Sequence, residues 1–184
     1  YNTFVDEVKF NKEMTVLINY PCFKKETNYA IPDSVTSIRY SAFTGCTSLT
    51  SITIPDGVTS IEDSAFTGCT SLTSITIPDS VTKIGEWTFT GCASLTNITI
   101  SDNVTSLETG TFRGCESLTN ITIPNSVTNI EKWVFDNCTR LTNVKIPDSV
   151  TSIGSVAFNA CSSLKSIKIP ERVTSISYGI FRGC

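Results

Sequence analysis

The chain of 184 residues contains no histidine, one methionine and two tryptophans, and only 17% of its residues are charged. Without histidine it lacks the commonest general base and the commonest metal ligand. No nucleophile stands with a base at a recognisable spacing, so the residues point away from an enzyme and imply no cofactor. A C-x-x-C pair of the kind zinc sites use is also missing. No apolar run approaches the ~18 residues of a membrane span, so this stretch is not expected to insert into a bilayer. The net charge is −3, without the basic face that nucleic-acid binding requires.

What the chain does have is one unit written over and over. Cysteine stands at 46, 69, 92, 115, 138, 161 and 184, a period of 23 with no insertion or deletion. Complete units begin at Ile31, Ile54, Ile77, Ile100, Ile123 and Ile146, and a seventh begins at Ile169 and stops at Cys184. Repetition of this kind means a solenoid, in which each unit buries its apolar side only against its neighbours. Six copies exceed the roughly three that stability needs.

Within a unit the apolar places are fixed. Leu72, Ile75 and Ile77 form an L-x-x-I-x-I run, followed by Val81, Ile84, Phe89 and Cys92. The run matches the strand segment of a leucine-rich repeat, with Ile75 and Ile77 inward and Ser74 and Thr76 outward. Pro78 has no backbone donor and ends the ladder, and Asp79 suits the turn that follows. Val81 to Ile84 reads as a second short extended stretch. Gly85 to Cys92 reads as a helical turn released by Gly91. The expected fold is therefore an α/β-type solenoid of 23-residue units, with parallel strands on a concave face and short extended and helical turns behind. Seven rungs at about 4.8 Å give a body roughly 34 Å long.

Residues 1–30 depart from the period. Val8-Lys9-Phe10, Asn11 to Met14 and Thr15 to Tyr20 read as strand, turn and strand, a capping hairpin ahead of a solenoid over 31–184. With no leader at Tyr1 and no cap after Cys184, the chain reads as a fragment of something longer.

The periodic cysteines admit a disulfide framework, a metal site or a structural ladder. One thiol per unit favours buried, reduced thiols packing as small apolar groups. Cys22 lies 24 residues before Cys46, one off the period, and is the expected exposed thiol. Asp33, Asp56, Asp79, Asp102 and Asp148 form a second ladder. Calcium needs six to eight oxygens, whereas each unit offers one carboxylate and Asn125 interrupts the series, so a turn cap is the better reading.

The unit I-P-D-S-V-T-S-I-G-x-x-A-F-x-x-C-x-S-L-x-S-I at Ile146 to Ile167 resembles the BspA-type, Treponema pallidum-like leucine-rich repeats of bacterial surface proteins, found also in some protozoan parasites. Phe10 to Tyr20 followed by Pro21 resembles that family's lead-in. The resemblance covers almost the whole chain. Ser101 departs from it in place of Pro, Leu107 and Val144 in place of Ile, and Asn125 and Glu171 in place of Asp. It implies a non-catalytic, exported surface module that binds an extracellular-matrix protein or another bacterium's surface protein, and carries over no active residues.

The outward strand face is the candidate contact surface. Rung by rung it offers Ser51 and Thr53, Ser74 and Thr76, Asn97 and Thr99, Asn120 and Thr122, Asn143 and Lys145, then Ser166 and Lys168. Most are small and uncharged, without the Trp, Tyr or Arg that anchor interfaces, although Lys145, Lys165, Lys168 and Arg172 make the last rungs basic. Trp87 and Trp133 share one repeat position two rungs apart, about 10 Å by strand spacing, and are candidate aromatic contacts. The sequons at Asn97, Asn103, Asn120 and Asn137 matter only in a eukaryotic secretory pathway. Glycans at Asn97 and Asn120 would cover this face, which argues for a bacterial source if the face is the working surface. The expected function is adhesion by a monomeric protein-binding module, the alternative a passive spacer that displays another domain.

Overall fold

A computed structural model describes residues 2–184. It opens with β1 (Asn2–Val5), β2 (Val8–Asn11) and β3 (Val16–Asn19), an antiparallel meander. Phe10 and Leu17 face the core from it with no solvent exposure. The strand–turn–strand expected at residues 8–20 is thus present, preceded by β1.

From there to Ile153 the rungs carry two short strands each, and among the described residues 154–184 carry none. Three-residue strands form one face: β4 (Asn28–Ala30), β6 (Ser51–Thr53), β8 (Ser74–Thr76), β10 (Asn97–Thr99), β12 (Asn120–Thr122) and β14 (Asn143–Lys145). Two-residue strands form the next: β5 (Ser37–Ile38), β7 (Ser60–Ile61), β9 (Lys83–Ile84), β11 (Ser106–Leu107), β13 (Asn129–Ile130) and β15 (Ser152–Ile153). Pairing between rungs is parallel, and on the second face β3 itself pairs with β5. β-Branched Ile and Thr suit such strands because they pack on a pleated, half-buried surface. Pro78 and its equivalents turn the chain between the two faces, the N–H of Val81 donating to the Pro78 carbonyl at 3.0 Å.

The third side corrects an expectation. Residues 85–92 form no helix, nor does any other described segment, so the fold is a parallel β-solenoid rather than an α/β one. Two residues per rung are left-handed: Trp87 at φ 57° and Gly91 at φ 71° in this unit, with equivalents in its neighbours. A left-handed residue every fourth position cannot continue a right-handed helix. The amides between them go elsewhere. The N–H groups of Trp87, Phe89 and Gly91 donate to the carbonyls of Thr109, Thr111 and Arg113 in the next rung, at 2.8, 2.9 and 2.8 Å. Those of Thr90 and Cys92 close local turns onto Trp87 and Phe89 at 3.1 Å each. The third side is thus a third hydrogen-bonded ladder. The glycine of the repeated Gly-Cys pair is there for its positive φ.

Inside, one core runs from end to end. Its spine is a stack of rings, Phe43, Phe66, Phe89, Phe112, Phe135, Phe158 and Phe181, with centroids 5.1–5.9 Å apart and Tyr20 extending the stack at 5.2 Å from Phe43. Beside it the thiols of Cys69, Cys92, Cys115, Cys138 and Cys161 are buried and unbridged. Each donates to the carbonyl of the Phe 26 residues earlier, as Cys115 does to Phe89 at 3.3 Å. A small apolar group with a weak donor fits that place, and cysteine is both.

The first rung corrects a second expectation. Cys22 is no exposed thiol, because it forms a disulfide with Cys46, their Cα atoms 4.4 Å apart. Thiols in register point in parallel, each at a carbonyl, whereas the one-residue offset of Cys22 turns its sulfur onto Cys46. The bridge ties the meander to the first rung. Closing a loop of 24 residues is worth about 3 kcal/mol in the loop-entropy account. Dithiothreitol is expected to lower the urea midpoint by the equivalent of that amount and to leave a Cys22→Ala variant unmoved. Equal midpoints with and without reductant in the parent chain would show that the bridge contributes nothing.

Between two interior units both strand ladders lapse. Among the described residues β9 does not pair with β11, nor β10 with β12. The unit that opens there has buried Ser101 where its neighbours have Pro. The side-chain amide of Asn103 donates to the Asp79 carbonyl at 2.8 Å. At the same place in other rungs Ser80, Ser126 and Ser149 donate to a valine carbonyl at 2.6–2.7 Å. Only the third-side ladder crosses this seam without interruption.

Candidate functional site

The three-residue strands alternate as a half-buried sheet should. Ile75, Ile98, Ile121 and Val144 are buried between exposed Ser74 and Thr76, Asn97 and Thr99, Asn120 and Thr122, and Asn143 and Lys145. Ser51 is partly covered and Thr53 exposed. Ser166 and Lys168 are exposed in a segment that continues the face without strand pairing. The structure therefore gathers the twelve residues on one face.

That face is not evenly closed. β4 pairs with β6, β8 with β10 and β12 with β14 over all three residues. Between these couples, β6 meets β8 through the single pair Ser51↔Ser74, and β12 and residues 166–168 have no ladder partner in β10 and β14. A cleft lies at each opening. One of about 400 Å³ sits between β6 and β8 with Asp56 on its wall. The next, about 370 Å³, lies between β10 and β12 and holds Asp79 and Asp102. The third, about 580 Å³, lies between β14 and residues 166–168 and holds Lys145, Lys168 and Asp148. The aspartates of the repeated turn thus rim these clefts, and among the described residues no three of Cys, Asp and Glu converge on a metal-sized site.

The two tryptophans are off this face, on the third side. Their rings stand 5.8 Å apart at 31°, not the 10 Å of two rungs. Gly110 occupies the same repeat position between them, and a Cβ there would lie 2.0 Å from the Trp87 ring. The missing side chain lets the indoles close over it. Trp133 remains 38% exposed. Since Trp87 precedes the seam and Trp133 follows it, the pair braces the place where both strand ladders lapse.

A polar cluster that the period conceals lies further along the third side. Units that read Thr-Gly-Cys at 44–46, 67–69 and 90–92 give way to Arg113-Gly-Cys, Asp136-Asn-Cys and Asn159-Ala-Cys. That change of wording is the signal that finds it. In the early rungs the Thr hydroxyl donates to a carbonyl of the next rung, as Thr67 does to Trp87 at 2.6 Å. Later, Arg113 Nε donates to Asp136 Oδ2 at 2.9 Å and Asn159 Nδ2 to Oδ1 at 2.6 Å. Asp136 is buried with both oxygens engaged, so the cluster is a polar staple across three rungs.

The five interior thiols are quiet, while Cys184 is free and exposed. Burial pushes the Cys69 and Cys161 thiols up to about 12, and holds Cys92, Cys115 and Cys138 well above the ordinary thiol value. The thiolate is the reactive form, so the ladder is chemically inert near neutral pH.

The pattern of the BspA type Leucine rich repeat region matches residues 16–141 and 88–184, in six copies. The chain belongs to this family. Among solved structures it resembles a leucine-rich repeat protein from Eubacterium ventriosum, with 32% identity, a TM-score of 0.92 and coverage of 99% of this chain and 49% of that one. A Bacteroides ovatus leucine-rich repeat protein gives 29% identity and a TM-score of 0.76 over 100% of this chain and 53% of that one. The T. pallidum leucine-rich repeat protein gives 28% and 0.86 over 100% and 86%. The chain spans about half the length of the first two. No curated protein matches it. BspA-type repeats are repeat scaffolds of the kind that mediates protein interaction.

Proposed function

We propose that this BspA-type solenoid is a non-catalytic adhesion module displayed outside the cell, which engages an extracellular-matrix or bacterial surface protein through the face of three-residue strands. That this face is concave is part of the proposal. The observation that carries it is a face of twelve non-core side chains, eleven exposed and Ser51 partly covered, opened by three clefts, while the apolar positions of the period are consumed by packing. The Cys22–Cys46 bridge supports an oxidising compartment outside the cytosol.

The spacer reading keeps one observation in its favour. The face carries no aromatic or arginine anchor, and such residues supply most interface energy. The two readings part in a binding assay against a panel of immobilised extracellular-matrix proteins. Binding that falls at least tenfold in the Lys145→Glu, Lys168→Glu double variant supports the face. Binding unchanged by the double variant removes its basic end, and no binding to any member of the panel favours the spacer.

A further inference from the structure

The three clefts recur with the spacing of two rungs. Strands stack at about 4.8 Å, so successive clefts lie roughly 9.6 Å apart along the solenoid axis. A ligand that entered all three would need side chains on one edge at that interval. A polyproline II chain has three residues per turn and rises about 3.1 Å per residue, which brings side chains i, i+3 and i+6 to one edge every ~9.3 Å. The mismatch is about 0.3 Å at the second cleft and about 0.6 Å at the third. An extended strand fails, since its third residue, at ~10 Å, points to the opposite side. An α-helix returns after seven residues at ~10.5 Å, drifting about 1.8 Å by the third cleft and rotating about 20° per heptad.

We propose that this face reads a polyproline II segment laid along the solenoid axis, taking basic side chains in the first two clefts and an acidic one in the third. The inference rests on the reading that the face binds protein, and it names the conformation and charge order of what binds. Charge sets the order. The first cleft holds the carboxylate of Asp56, the second those of Asp79 and Asp102, and the third the two ammonium groups of Lys145 and Lys168 against Asp148. A polyproline II backbone has no internal hydrogen bonds, so its carbonyls are free for the amides of Asn97, Asn120 and Asn143, exposed along the same face. Such a chain is also ordered before it binds, which lowers the entropy lost on docking. With no aromatic lining the attraction is largely electrostatic, and it weakens with salt.

The test uses the intact chain and proline-hosted peptides carrying Arg, Arg and Asp at positions i, i+3 and i+6, followed by fluorescence anisotropy at low salt. Saturable binding is expected. It should fall at least tenfold when the same three residues are set four apart in the proline host, and again when the charges are inverted to Asp, Asp and Arg. The Asp79→Lys, Asp102→Lys double variant should prefer a peptide whose middle residue is Asp, with circular dichroism to show that it folds. Equal affinity for the three-spaced and four-spaced peptides overturns the proposal, as does no saturable binding. So does tighter binding of a helical peptide with the same charges seven apart. The matrix-protein panel run in parallel separates the two levels. Panel binding that is lost in the lysine double variant but accompanied by no peptide binding sinks only this inference, and absence of both sinks the reading beneath it.

Discussion

Between pH 9 and pH 12 the protein is expected to lose stability, by an amount set by the cysteine ladder. Burial raises the pKa of all five interior thiols, two of them to about 12. A group whose folded pKa lies above its unfolded value stabilises the fold fully below the unfolded pKa, and that contribution drains away as pH rises toward the folded one. The window therefore opens near the ordinary thiol value of about 9 and extends to about 12. Within it each thiol contributes about 1.4 kcal/mol per pH unit. Five together set an upper bound on the slope, on the order of 7 kcal/mol per unit, against a total stability of about 5–15 kcal/mol for a typical domain. The phenols of Tyr29, pushed up to about 12 by burial, and of Tyr20, raised in the same way, add to the loss in the same direction. Urea unfolding followed by circular dichroism at pH 9, 10 and 11 measures the slope. Replacing Cys92, Cys115 and Cys138 with alanine should remove about three fifths of the thiol contribution, whatever it does to absolute stability. An unchanged slope in that variant would mean that the ladder is not what titrates.

Much of this architecture is legible in the 23-residue period, because a period states which residues share an environment. Phe89, Leu95 and Ile98 could be placed in one column each without knowing how the chain turned between them. The turn is not legible in the same way. Gly85 to Cys92 has the composition of a helical turn, and the left-handed residue that prevents one is glycine only at Gly110 and Gly179 in its series, being Ser, Trp or Val elsewhere. Residues that seldom take positive φ give no warning that they do. Only the second left-handed position, glycine in Gly45, Gly68, Gly91 and Gly114, carries its own signal.

The candidate face shows the same division. Which side chains share it follows from alternation along Ser74 to Ile77 and its copies. That its rungs close in couples does not, because Ser-Ile-Thr at β6 and β8 is the same tripeptide, and no residue in the strands accounts for the opening between them. The Trp pair is an intermediate case. Two indoles at one repeat position are visible in the sequence, and so is Gly110 between them, but the 5.8 Å approach depends on reading that glycine as room rather than as flexibility. Cys22 is illegible for the opposite reason: a single residue off the period reads as a loose end, whereas the offset is what turns its sulfur onto Cys46.

The seam between residues 77–99 and 100–122 makes Phe112 the side chain whose loss should do most harm. Its ring is fully buried, 5.7 Å from Phe89 on one side and 5.7 Å from Phe135 on the other, nearly parallel to both. Truncating such a residue costs about 3–5 kcal/mol through lost burial and the cavity left behind, and each aromatic contact is worth roughly 0.5–1.5 kcal/mol more. At the junctions on either side, 54–76 with 77–99 and 100–122 with 123–145, two strand ladders hold neighbours together. Here both lapse, and the third side carries the join through the amides of Trp87, Phe89 and Gly91. Phe112→Ala is therefore expected to unfold at much lower urea than Phe181→Ala, which removes a half-buried ring stacked on Phe158 alone. Because solenoid rungs couple mainly to their neighbours, amide exchange in Phe112→Ala should quicken first at Phe89 and Phe135 and least in β2 and β3. A Phe112→Ala midpoint at or above that of Phe181→Ala would show that the seam is held by something other than the ring stack, and the Trp87–Trp133 brace would be the next side chains to remove.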